Sequence, residues 1–215
     1  MMEDRDERMS ATFAVDLPAP QQPRSLATQR AFIAAARAIL REMPWEAVSI
    51  ALIARRAERS VGAFYQRFGS KEDFLTALLR EWLEDSRAAM AAPIGGETAR
   101  SVIDDQLAAL FETIRTNRYL WRAALQRAMD DPASWEPFRQ LGAERRRRFA
   151  EGIGAARGRP LDAAERHRLD LAVQVFNSVL NNALLNDPGP LRIDEPEFLP
   201  TLRDIFLTVA ALDPG

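Results

Sequence analysis

The stretch SIALIARRAERSVGAFYQRF, residues 49–68, decides how the rest of this chain is read. Ser49 is a favoured helix N-cap, and after it Ile50, Ile53, Ala54 and Ala57 share one face of a helix only about two turns long. Glu58, Arg59 and Ser60 break that spacing. A second short helix follows, in which Phe64 and Phe68 lie one turn apart on an edge to be buried while Ala63, Gln66 and Arg67 point elsewhere.

Working outward, the chain before this stretch has Phe32, Ala36, Ile39, Leu40 and Met43 on one helical face, starting near Ser25 and stopped by Pro44. On the other side, Gly69 ends the short helix. Ser70 with Asp73 resembles a capping box that opens a longer helix carrying Phe74, Leu75, Leu78, Leu79, Trp82 and Leu83. Pro93, Gly95 and Gly96 close it and mark the expected junction between a head and a body. Further helices are predicted around Val102–Ile114, Leu120–Met129, Phe138–Ile153, Leu169–Leu184 and Phe198–Val209. No strand-like alternation and no fixed-period repeat is visible, so the fold class is all-α, with about nine helices.

At 215 residues the chain can bury a substantial core, and 47% hydrophobic with 28% charged residues is a globular composition. There is no cysteine, so a disulfide, a thiolate metal site and a Cys nucleophile are excluded. The charged N-terminus has no signal-peptide core, and no apolar run is long enough to span a membrane. Both point to a cytoplasmic protein without a membrane partner. Residues 1–23, with Pro18, Pro20 and Pro23, read as a flexible arm. The net charge of −2 hides an asymmetry. Between Arg24 and Arg80 stand ten basic and five acidic residues, a basic head on an acidic remainder.

A short helix, a tight polar turn and a second short helix, braced on both sides, is the layout of a helix-turn-helix. The second helix has an outward edge of Ser60, Val61, Gly62, Ala63, Gln66 and Arg67, small enough to enter a major groove about 12 Å wide. Gln66 has the paired donor and acceptor that an adenine edge requires, Arg67 suits guanine or phosphate, and Gly62 lets backbone approach closely. Such helix pairs also occur in purely structural all-α domains.

Thr28-x-Arg30, I50-A-L-I-A-R-R-A57, S60-V-G-A-F-Y-Q-R-F68 and S70-K-E-D-F-L75 together resemble the signature of the TetR/AcrR family of transcriptional regulators, over residues 25–83. The resemblance implies a helix-turn-helix DNA-binding domain over 24–71, a connecting helix over 72–92, and a helical effector-binding and dimerisation domain over 97–215. It makes Ser49, Tyr65 and Lys71, the chain's only lysine, phosphate contacts, and Ser60 to Arg67 the reading surface. It further implies a homodimeric repressor on a double-stranded DNA operator, paired through the last two helices and released by a small-molecule effector. Three departures from the family pattern stand in or near the turn. Glu58 replaces a glycine, at a cost of ~1 kcal/mol if the turn keeps positive φ. Arg59 replaces an apolar residue, and Arg67 stands where a histidine is common.

For the effector, Phe111, Trp121, Leu125, Phe149, Phe176 and Asn177 are candidate pocket residues, of types that also build ordinary core, which favours an apolar or aromatic ligand. His167, the only histidine, is expected on a solvated helix face, and one histidine without cysteine builds no metal cluster. Arg145 to Arg148 point around more than a full helical turn and are expected as solvated surface rather than a nucleic-acid stripe. No phosphate loop, nucleophile elbow or histidine-containing triad is present, so no catalytic residue, metal or cofactor is expected. Two other classes remain open at this level: a helical protein-interaction module, and an enzyme with an unrecognised site.

Overall fold

The computed structural model describes residues 23–212, so the arm expected over 1–23 lies, up to residue 22, outside them. Among the described residues are nine α-helices and no strand: α1 (Pro23–Ile39), α2 (Ile50–Arg56), α3 (Val61–Phe68), α4 (Lys71–Ala89), α5 (Ala99–Thr116), α6 (Arg118–Asp130), α7 (Glu136–Ala156), α8 (Ala163–Asn186) and α9 (Phe198–Ala210). Two 3-10 turns, Trp45–Ala47 and Pro132–Trp135, complete them. The all-α expectation holds, but the first helix ends at Ile39, so Leu40 and Met43 of its predicted face lie in the turn that follows, and Ala57 lies one residue past α2. None of these helices is long and apolar enough to cross a membrane.

The helices form two compact units. The first runs to Ala88 and takes in Asn117–Pro137, and the second consists of Ala89–Thr116 with the chain from Phe138 onward. Helix α6 therefore packs with α1 to α4, while α5, α7, α8 and α9 make the second unit.

In the first unit α6 is fastened by a row of tryptophans, Trp82 to Trp121 at 5.3 Å and Trp121 to Trp135 at 5.4 Å between ring centres. It is also fastened by Arg127, which donates to Thr76 Oγ1 at 2.6 Å and to the Glu72 carbonyl at 3.2 Å. Helix α1 is tied to α4 by Arg37, 2.7 Å from Asp85. Glu81, also facing Arg37, has its carboxyl raised by burial, which outweighs the lowering by that arginine.

In the second unit α8 and α9 pack along one another around Phe206, which is fully buried and meets Phe149 at 6.0 Å and Phe176 at 6.5 Å. The connection from α7 to α8 is locked by Glu165, 6% exposed. Its carboxylate accepts from Arg159 at 2.7 and 2.8 Å, from Arg157 at 2.9 Å and from the Asp162 N–H at 2.9 Å. Asp162 returns a bond to the Glu165 N–H at 2.8 Å, so the pair is a capping box on α8. Arg159, the Asp162 N–H and Arg157 together hold the Glu165 carboxyl well below the usual carboxylate range. His167, two residues on, is exposed, as expected.

Of the four arginines expected as solvated surface, Arg147 is exposed and paired with Glu144 and Glu151, whereas Arg145, Arg146 and Arg148 are half-buried.

Candidate nucleic-acid interface

The geometry of the head follows from caps placed where backbone groups would otherwise lack partners. The Ser49 hydroxyl accepts from the Leu52 N–H at 3.1 Å to start α2, and the Ser60 hydroxyl accepts from the Ala63 N–H at 3.1 Å to start α3. Between them α2 closes in a Schellman turn: the Glu58 N–H bonds the Arg55 carbonyl at 3.2 Å and the Arg59 N–H bonds the Ala54 carbonyl at 2.9 Å. This requires left-handed backbone at the residue between, and Glu58 has φ 54°. The turn thus keeps the conformation that glycine would adopt more easily, and the chain bears a strain of ~1 kcal/mol there. Arg59, in place of an apolar residue, is exposed, with its guanidinium on the Glu58 carbonyl at 2.9 Å.

Helix α3 is held from behind by aromatic rings. Phe64 lies 5.4 Å from Phe32 of α1, 5.2 Å from Phe68 and 5.0 Å from Phe74 of α4, and Phe68 lies 4.5 Å from Phe74. These four rings are 2% exposed or less. Each contributes about 1.5–3 kcal/mol of burial, which is why so short a helix stays folded. Gly69, at φ 76°, ends α3, and Ser70 with Asp73 starts α4, the serine hydroxyl accepting from the Asp73 N–H at 3.0 Å and donating to its carboxylate at 2.7 Å.

With the inner edge anchored, the outer edge is free. Ser49, Ser60, Gly62 and Gln66 are exposed, Val61 is 41% and Tyr65 51% exposed, and Ala63 is half-buried. A side chain at Gly62 would meet only the Ser60 hydroxyl at 3.8 Å, so internal packing does not demand glycine there.

Two predicted site residues are less free. Arg67 is half-buried and donates to Gln29 Oε1 of α1, from Nε at 3.0 Å and also from its terminal nitrogen. Lys71 is half-buried, with its ammonium 3.1 Å from the Trp45 carbonyl and 4.7 Å from the centre of the Trp45 ring. Sequence reasoning missed Gln29 and Trp45 because both partners are non-local and of neutral type, without a charge pattern to flag them. It also passed over Arg55, which is exposed at the end of α2.

The six effector-pocket candidates divide between the two units. Trp121 and Leu125 belong to the first unit, and Phe111, Phe149, Phe176 and Asn177 to the second. Phe149 and Phe176 are buried against Phe206, and Phe111 stacks on Phe198 at 5.6 Å. Among the described residues no group of three or more His, Asp or Glu side chains stands close enough to hold a metal ion.

Residues 32–78 match the family of bacterial regulatory proteins, tetR family. The chain is similar in structure to a TetR transcriptional regulator from Rhodococcus sp. RHA1, at 19% identity over 88% of this chain and 98% of that one, with a TM-score of 0.51. It is similar also to Salmonella enterica GusR, at 17% identity over 90% and 99% of the two chains, with a TM-score of 0.55. At these identities the two structures speak to the fold. No curated protein matches the chain in sequence.

Proposed function

We propose that this chain is a DNA-binding regulator of the tetR family, whose model its residues 32–78 match, and that it is a cytoplasmic repressor released from a palindromic operator by a small molecule. Residues 24–71 are the DNA-binding domain, 72–92 the connecting helix, and 97–215 the part that takes the effector and dimerises. The observation that carries the reading is the two-sided character of α3: an inner edge fixed by Phe64 and Phe68, and an outer edge of Ser60, Val61, Gly62, Tyr65 and Gln66 that nothing in the head covers.

In this account Gln66 makes paired hydrogen bonds to an adenine edge, and Val61 and Ala63 offer apolar contact to a thymine methyl. Gly62 admits the helix close to the groove floor. Ser49 and Tyr65 donate hydroxyls to phosphates. Lys71 has one donor on Trp45 and others left for a phosphate, and Arg67 reaches DNA by exchanging Gln29 for a phosphate or a guanine edge.

Two such helices must sit about 34–36 Å apart to enter successive major grooves, which calls for a C2 dimer. Leu171 of α8 and Ile205 of α9 support pairing through these helices, since they are 41% and 37% exposed on elements that already pack together. Release follows when an effector favours a dimer whose head spacing misses the grooves. The bond from Arg127 to Thr76 makes α6 the lever on α4.

The test is binding to the DNA flanking the chain's own gene, with base-by-base substitution of the site found. Gln66→Ala is expected to lose about 1–3 kcal/mol of discrimination at one base pair per half-site and to leave the other positions unchanged. Uniform weakening at every position, or no binding by the wild-type chain, would contradict the reading.

A further inference from the structure

The second unit holds a cavity of about 210 Å³, bounded by the chain just after α4, by α5 and by α7. Its lining carries two positive charges, Arg145 and Arg148, and no Asp or Glu. The acids nearest along α7 pair with Arg147, Glu144 at 2.6 Å and Glu151 at 2.5 Å, while Arg146 reaches Asp170 of α8 at 3.4 Å. Arg148 donates to the Ala91 and Ala92 carbonyls at 3.4 and 3.1 Å and so fixes the rim. Arg145 has no hydrogen-bond or ion-pair partner among the described residues. Burial lowers its guanidinium from the usual arginine range, and no acidic group acts in the other direction.

A partly desolvated cation without a partner costs free energy, and a ligand that brings the missing carboxylate recovers it in the planar two-point geometry a guanidinium favours. The remaining wall limits what else the ligand carries. Met90, Pro93 and Ile94 are apolar, and Ile94 lies so close to Gly152 of α7 that a Cβ there would meet its Cγ2 at 2.6 Å. Gln106 and Thr113 are the neutral polar side chains of the lining. A dry cavity of ~150 Å³ holds a benzene ring, so this one has room for a ring or short chain together with its carboxylate.

We infer that this cavity binds a small monocarboxylic acid with a compact apolar body, its carboxylate on Arg145 and its apolar part against Met90, Pro93 and Ile94, and that this acid is the effector. The effector role rests on the regulator reading given above, whereas the binding itself does not.

The experiment is calorimetric titration of the full chain with benzoate and hexanoate, beside their neutral amides and sulfate, and in parallel the effect of each on binding to the flanking DNA. Both acids, or one of them, are expected to bind at least tenfold more tightly than the matching amide and than sulfate, and to weaken DNA binding. Arg145→Gln is expected to erase that advantage while melting at or above the wild-type temperature, because it removes an unpaired charge. Should it fail to fold, Arg145→Lys keeps the charge without the planar fork and is expected to fold and to bind the acid several-fold more weakly. Acids no better than amides, sulfate as good as the acids, or an advantage that survives the substitution at Arg145 would overturn the site. A chain that binds the acid but no DNA would leave the site standing and remove the regulator reading, and DNA binding without acid binding would do the reverse.

Discussion

On the head, Arg67 grips the neutral Gln29 and Lys71 lies on the carbonyl and ring of Trp45, whereas in the second unit Arg145 stands in a cavity without an acceptor. The difference matches the two kinds of anion. A neutral partner steadies a cationic side chain without cancelling its charge, so the long-range field that draws a polyanion is kept and the contact is easily exchanged for a phosphate. A half-buried cation left unpaired gives a weaker long-range field but a local gain to one small carboxylate that fits beside it. The first arrangement suits a large surface met from solvent, and the second suits a single small molecule met in a cavity.

The largest expected effect breaks the head alone. Phe64→Ala removes a fully buried ring that touches Phe32, Phe68 and Phe74, and should cost about 3–5 kcal/mol in chemical denaturation followed by head fluorescence. DNA binding should disappear, while carboxylate binding in the second unit should persist. Loss of both at once would show that the two regions are not built independently.

Next comes acid, which should act on the second unit. The folded Glu165 carboxyl lies below its unfolded value, so the folded state binds fewer protons there. Its contribution is complete above the ordinary glutamate pKa of about 4.3 and is lost as the pH falls through the lowered folded value. Glu165→Gln should therefore lower the melting temperature at neutral pH and flatten the fall in stability on the acid side. A variant that melts as the wild type does at neutral pH would contradict the capping and pairing described. The smallest effect belongs to the turn: Glu58→Gly relieves positive φ and should stabilise the head by about 1 kcal/mol in the same denaturation assay.

Much of the head was legible because its signals are local. The caps read at Ser49, Gly69 and Ser70 and the Phe64 to Phe68 spacing each encode a boundary or a face within a few residues, and the structure uses every one of them, adding a cap at Ser60 that was not read. The cost foreseen at Glu58 is visible as its φ of 54°. What the sequence hid is long-range. Nothing near Arg67 points to Gln29, 38 positions away, and nothing in α6 announces that it packs with the head rather than with the helices that flank it in the chain. The effector candidates were chosen for apolar and aromatic character, which core packing uses equally, and Phe149 and Phe176 are core. A signal for the cavity did exist: Arg145 has no acid three or four residues away along its helix, whereas Arg147 and Arg148 each stand within one turn of both Glu144 and Glu151.

The most direct measurement for the central claim is the affinity of the full chain for its flanking DNA across a series of salt concentrations, with and without Lys71→Ala. The account predicts that affinity falls steeply as salt rises, with a log–log slope of about −0.9 for each phosphate neutralised, and that Lys71→Ala weakens every sequence alike and makes the slope shallower by about one. An affinity independent of salt, or a slope that Lys71→Ala leaves unchanged, would contradict it.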